Sequence, residues 1–128
     1  MNSLRTPWLR PLFVVVMLCL YSAAHARCVL PVSDGGGPRP SPANVEGDIV
    51  SIQQDIVGIR PYHLKRQITV RVPQDKPIYT AFGGDGTPSE LQVGQKTRVW
   101  FVGCARGSTS VPEAAYFEIF SKDPNDRP

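Results

Sequence analysis

From Val45 onward, apolar and polar positions alternate with a period of two, the pattern of half-buried strands rather than of helices. Gln67 to Val72 shows it most cleanly: Ile68, Val70 and Val72 turn to one side, Thr69 and Arg71 to the other. Ala115 to Ile119 alternates again and predicts Ala115, Phe117 and Ile119 as inward positions. Thr97 to Val102 is rich in β-formers and sets Val99 and Phe101 on a common face. Asp48–Ile52 and Ile78–Phe82 complete the set as the first and third strands.

Turn residues separate these runs: Pro73 to Pro77, Gly83 to Gly86, Gly94, and Gly103 to Pro112. One stretch departs from the strand pattern. Thr87-Pro88-Ser89-Glu90-Leu91 has an N-cap residue, a proline at the first helical position and a glutamate three residues after the cap. It predicts a single helical turn between the third and fourth strands. Five strands with that turn predict an all-β fold, a small five-stranded OB-like Greek-key barrel over residues 45–121.

Three segments carry a resemblance beyond the strand count. Val45-Glu46-Gly47-Asp48-Ile49-Val50-Ser51-Ile52 resembles the glycine-initiated first strand of small exported bacterial OB-like domains of unknown function. Ser89 to Val99 is similar to the L-x-V-G-x-x-x-x-V approach to their fourth strand, and Ala114 to Ile119 to their closing strand. The resemblance spans Val45 to Ile119 and implies a fold. It assigns no active site, because its glycines and aliphatics serve barrel geometry.

The first 44 residues have a different composition. Arg5 and Arg10, the apolar run Leu12 to Tyr21, and Ala24-His25-Ala26 form a secretory signal peptide with cleavage expected after Ala26. An apolar run of roughly ten residues is too short for a bilayer crossing, which takes about 20 helical residues. Neither Cys19 nor Cys28 follows the small residue that lipid attachment needs, so a soluble periplasmic or secreted product is expected. Residues 27–44 then read as a Gly/Pro-rich tether, and residues 122–128 as a flexible tail.

Loss of the leader leaves 12 basic and 11 acidic residues, a net +1. So balanced a surface gives no long-range attraction for nucleic acid or anionic lipid. Cys28 and Cys104 remain as an even pair in an oxidising compartment and predict a disulfide that staples the tether to the barrel.

Candidate chemistry is sparse. His63 is the one histidine after cleavage, without a guaranteed carboxylate or nucleophile beside it. One histidine and two bonded cysteines do not make a zinc set. Asp85 lacks the spaced acidic run of a calcium loop, and Gly83 to Gly86 precedes no full helix that would make a phosphate cradle. No catalytic residue, metal or cofactor is therefore assigned.

Arg60, Lys65, Arg66 and Arg71, with Tyr62 among them, are the candidate ligand-binding residues, expected around the loop between the first two strands. OB-like barrels hold oligonucleotides or oligosaccharides near such positions, and export favours an envelope glycan, an acidic peptide or a protein over nucleic acid. Trp100, Tyr116 and Phe120 share the opposite, outward parity and need a cover, for which the stapled segment from Val29 to Val32 is the nearest source. The expected function is a non-catalytic binding module of the bacterial cell envelope. The alternative is a periplasmic inhibitor or immunity-type protein that blocks a partner enzyme through the loop from Gly103 to Pro112.

Overall fold

A computed structural model describes residues 27–32, 36–104 and 110–126 of the chain. The signal peptide predicted at residues 1–26, parts of the tether and tail, and positions 105–109 of the loop from Gly103 to Pro112 lie outside the described residues. Among those described, seven strands form one sheet: β1 (Val45–Gln53), β2 (Ile56–Pro61), β3 (Ile68–Arg71), β4 (Ile78–Thr80), β5 (Asp85–Gly86), β6 (Lys96–Phe101) and β7 (Ala114–Ile119). Their order is β3-β2-β1-β6-β7-β4-β5. The only helical pieces there are two 3-10 turns, Pro88–Glu90 and Val102–Cys104. The first is the turn predicted from Thr87 to Leu91, and the Glu90 carboxylate accepts the Thr87 backbone N–H at 2.6 Å.

The chain is all-β, but the expected five-stranded OB-like Greek-key barrel is corrected to an open seven-stranded sheet. Two strands account for the difference in number. β2 contains Ile56-Val57-Gly58-Ile59, in which Val57, Gly58 and Ile59 are all buried, so no alternation marks it as a strand. β5 is two residues long and pairs only with β4. Closure fails because pairing runs out. The last residue of β3, Arg71, makes one isolated parallel bridge to Glu113, with its N–H on Pro112 O at 2.8 Å. β4 instead takes the free edge of β7, in parallel, through Tyr79↔Glu118 and Thr80↔Ile119.

β1 and β2 form a tight hairpin in which Gln53 faces Ile56 across Gln54 and Asp55. A register shift between Ile49 and Ser51 bends β1, as bulges do. Its first half therefore also pairs with β6, from Val45↔Val99 to Asp48↔Lys96. Gly47 is what lets β2 come this close: a Cβ there would sit 2.1 Å from the Arg60 carbonyl oxygen.

The inward positions converge on one core containing Val45, Ile49, Ile59, Val70, Val99 and Phe117. Burying each such side chain contributes roughly 1.5–3 kcal/mol relative to exposure. One inward assignment shifts by a residue. A register irregularity between Trp100 and Phe101 places Phe101 opposite Ala114, so Ala114 is buried and Ala115 only partly so.

Two flanking segments are tied to this body. Cys28 and Cys104 form a disulfide. From there Val29 and Ser41 exchange two bonds, Ser41 N–H to Val29 O at 2.8 Å and Val29 N–H to Ser41 Oγ at 3.0 Å. At the other end, buried Gln95 donates through Nε2 to the carbonyls of Ser121 (3.3 Å) and Lys122 (3.0 Å). Residues 121–126 consequently lie against the approach to β6, with Pro124 beside Gly94.

Candidate functional site

The outward face of β1, β6 and β7 carries three rows of side chains, set by strand register. In the first row Arg60 of β2, Asp48 of β1 and Lys96 of β6 stand opposite one another. Directly opposed residues on adjacent antiparallel strands hold their Cβ atoms about 4.5–5.5 Å apart, so these charges are immediate neighbours. The second row runs Glu46, Arg98, Glu118 and Tyr79 across β1, β6, β7 and β4. The third joins Trp100 to Tyr116 across β6 and β7.

The third row is closed. Trp100 is only 5 % exposed and donates its indole Nε1–H to Ser41 O at 2.7 Å. Its ring meets Tyr116 edge-on at 5.5 Å, and Tyr116 stacks on Tyr79 at 4.4 Å. Burial pushes the Tyr116 phenol up to about 12, with the neighbouring Glu118 charge adding to the rise. Asn44 anchors the covering segment, accepting Phe101 N–H through Oδ1 at 2.8 Å and sending its own N–H to Val99 O at 2.9 Å. The outward parity of Trp100 is thus satisfied from within the chain, through Ser41 and its neighbours.

The second row is partly neutralised. Arg98 Nη2 reaches Glu118 Oε1 at 2.7 Å, and the same guanidinium lies 4.9 Å from the centre of the Phe120 ring. Charge and stacking hold that arginine in place.

The first row is open. Arg60, Asp48 and Lys96 line a groove of about 590 Å³ together with Val93, Pro124 and Asp126. Tyr62, two residues beyond Arg60, bends over this row: its hydroxyl donates to Asp48 Oδ1 at 3.0 Å, while its N–H bonds Glu46 O at 3.0 Å. Half of Tyr62 remains exposed although its hydroxyl is anchored on Asp48. Its phenol is pushed up to about 12, first by loss of water and then by the hydrogen bond and charge of Asp48.

The predicted basic cluster is divided by this geometry. The loop that joins the first two strands is the Gln54–Asp55 turn, so Arg60 lies in β2, while Tyr62, Lys65 and Arg66 occupy the connection from β2 to β3. Arg71 stands at the opposite end of the β2–β3 ladder, facing Ile56, and pairs with Asp55 at 3.3 Å. Both partners of that pair are exposed, and its contribution is about 0–1 kcal/mol. Missing β2 in the sequence is what merged the two ends. The same omission hid Asp48 and Lys96, whose side-by-side position with Arg60 exists only once β2 is laid against β1. Among the described residues, no group of three His, Cys, Asp or Glu side chains is placed to hold a metal ion, and no helix is long and apolar enough to cross a membrane.

No family model, curated protein or solved structure matches the chain. What the groove does must follow from its own side chains. Two cations and two carboxylates around it, Arg60, Lys96, Asp48 and Asp126, give donors and acceptors together, and Tyr62 is tied to one of them, Asp48, through its hydroxyl. That arrangement suits a neutral or mildly charged ligand rich in hydroxyl groups, which both donates and accepts, better than a polyanion that needs one sign throughout.

Proposed function

We propose that the chain is an exported, non-catalytic binding module of the bacterial cell envelope, and that its ligand is a glycan. The observation that carries this reading is the row Arg60–Asp48–Lys96 with Tyr62 held over it by the Asp48 carboxylate. A sugar ring laid on the side of Tyr62 would meet hydrogen-bonding groups of both kinds along the groove. Lys65 and Arg66, exposed on the neighbouring connection, extend the contact to acidic substituents. The Cys28–Cys104 disulfide supports placement in an oxidising compartment, periplasmic or secreted, in accord with the predicted leader.

The succession β3-β2-β1-β6-β7, with the single parallel bridge between Arg71 and Glu113, supports an OB-like lineage. OB folds are themselves partly open and use the face of their second and third strands for oligosaccharides. The test is binding to an immobilised array of bacterial envelope glycans. Wild type should bind a subset of them, and Tyr62→Ala should weaken that binding about thirtyfold, the cost of losing an anchoring aromatic. Loss of binding in a Tyr62→Ala protein that stays folded, with a stability cost no larger than the roughly 0.5–1.5 kcal/mol of one hydrogen bond, supports the reading. Equal binding by both proteins overturns the assignment of the site.

A further inference from the structure

Phe82 is the most exposed of the large apolar side chains in the described residues, at 82 %. It sits at the tip of the hairpin between β4 and β5, far in sequence from the groove. The tip is not slack. Thr80 N–H donates to Gly84 O at 3.0 Å, Gly83 N–H donates to Thr80 O at 3.1 Å, and the Thr80 hydroxyl closes on Gly83 O. Gly83 and Gly84 have φ of 90° and 103°, the left-handed region that glycine enters without strain, and open space surrounds Gly83. Glycines are therefore used here to shape a fixed tip. An apolar ring presented on a pre-set hairpin loses little freedom when it docks.

The opposite end of the sheet offers a matching concavity. Val45, Pro61, Leu64 and Ile68 line a groove of about 430 Å³, with His63 and Glu46 at its polar margin. Leu64 is 56 % exposed although it belongs to this apolar lining. The connection that carries Leu64 continues directly into Lys65 and Arg66, while Phe82 has exposed Asp85 three residues behind it. Glu46, the one acid of the groove, stands opposite Arg98 of β6. Apolar surface and charge are thus complementary between the two sites.

We propose that the Phe82 hairpin docks into the Leu64–Ile68 groove of a second copy of this chain, with Asp85 facing Lys65 and Arg66. The contact uses two different surfaces, so it is either reciprocated within a pair or repeated head to tail. A membrane surface is the poorer partner for the hairpin, because Asp85 opposes approach to anionic lipid.

Mass measured by light scattering from micromolar to millimolar protein tests the proposal. The wild-type mass should rise with concentration. Phe82→Ser and Leu64→Ser should each raise the dissociation constant at least about thirtyfold, as expected for a central anchor. Both positions are exposed, and unchanged circular dichroism confirms that each variant folds. Mixing the two variants then gives the decisive result: one retains the groove and the other the ring, so an equimolar mixture should recover a complex of two chains. Asp85→Lys should weaken association, and Lys65→Glu with Arg66→Glu should restore it. A monomer at every concentration overturns the proposal, as does association indifferent to both substitutions or a failure of the two variants to complement each other.

Discussion

β6 sends Trp100 and Lys96 to the same side of the sheet, four residues apart, yet the two ends of its outward face have different fates. Around Trp100 the chain returns on itself: the disulfide fixes Cys28, Ser41 accepts the indole N–H, and Asn44 clamps the edge of β6. Around Lys96, among the described residues, residues 121–126 run alongside, and the row through Asp48 to Arg60 borders a groove with Pro124 and Asp126 on its rim. Outward parity alone therefore does not make a surface. An outward residue becomes core when another segment is held over it, and the covered end supplies stability while the open end is left for recognition.

The largest effect expected from this contrast is at Trp100. Trp100→Ala removes a buried ring that contacts Tyr116 and Ser41, and should cost about 3–5 kcal/mol. Thermal unfolding should fall by more than about 10 °C. A loss under about 1 kcal/mol would mean that the N-terminal segment does not rest on the ring as described.

Next comes the strap itself. Cys28→Ser with Cys104→Ser should cost about 2–4 kcal/mol, since the bond closes a sequence separation of 76 residues. Trp100 is the only tryptophan beyond residue 26, so its fluorescence reports the same event, with emission moving to longer wavelength as the cover loosens. Unchanged stability together with unchanged emission would show that the hydrogen bonds at Ser41 and Asn44 hold the segment without the disulfide.

The two ends also differ in what raises their tyrosines. Both Tyr62 and Tyr116 are pushed from the ordinary 10 to about 12, chiefly by burial, but only Tyr62 has a hydrogen bond to Asp48 as its second cause. Asp48→Asn should therefore lower the Tyr62 midpoint and leave Tyr116 where it is, measured by phenolate absorbance. The sign for stability follows from a raised phenol: the contribution of the Tyr62–Asp48 bond is complete below pH 10 and is lost as pH climbs toward 12. Equal movement of both midpoints would contradict a local bond at Tyr62.

Much of this contrast was legible from spacing. Period-two alternation gave the strands that are half buried, and parity put Trp100, Tyr116 and Phe120 outside with Val99 and Phe117 within. The cysteine count pointed to the strap. What spacing could not reveal was pairing. Val57 to Ile59 is buried on consecutive positions and carries no alternation, so β2 stayed hidden, and with it the neighbours of Arg60. Arg71 looked like part of the same cluster because it is close in sequence to Arg66, whereas the β2–β3 ladder carries it to the far end. The β4–β5 hairpin is too short for any period, and its Phe82 has meaning only through exposure. Closure of the sheet depends on which edge finds a partner, a property of three-dimensional packing that local pattern does not encode.

The division of labour between the two ends is tested most directly by titrating wild type, Tyr62→Ala and Arg60→Glu against one array-selected envelope glycan, with thermal unfolding of the same samples. Arg60→Glu should leave stability within about 0.5 kcal/mol of wild type and Tyr62→Ala should cost no more than about 1.5 kcal/mol for its lost bond to Asp48, while Tyr62→Ala weakens binding about thirtyfold and Arg60→Glu also reduces it. Full affinity in both variants, or affinity lost only together with the folded state, would contradict the assignment of recognition to the open end of the sheet.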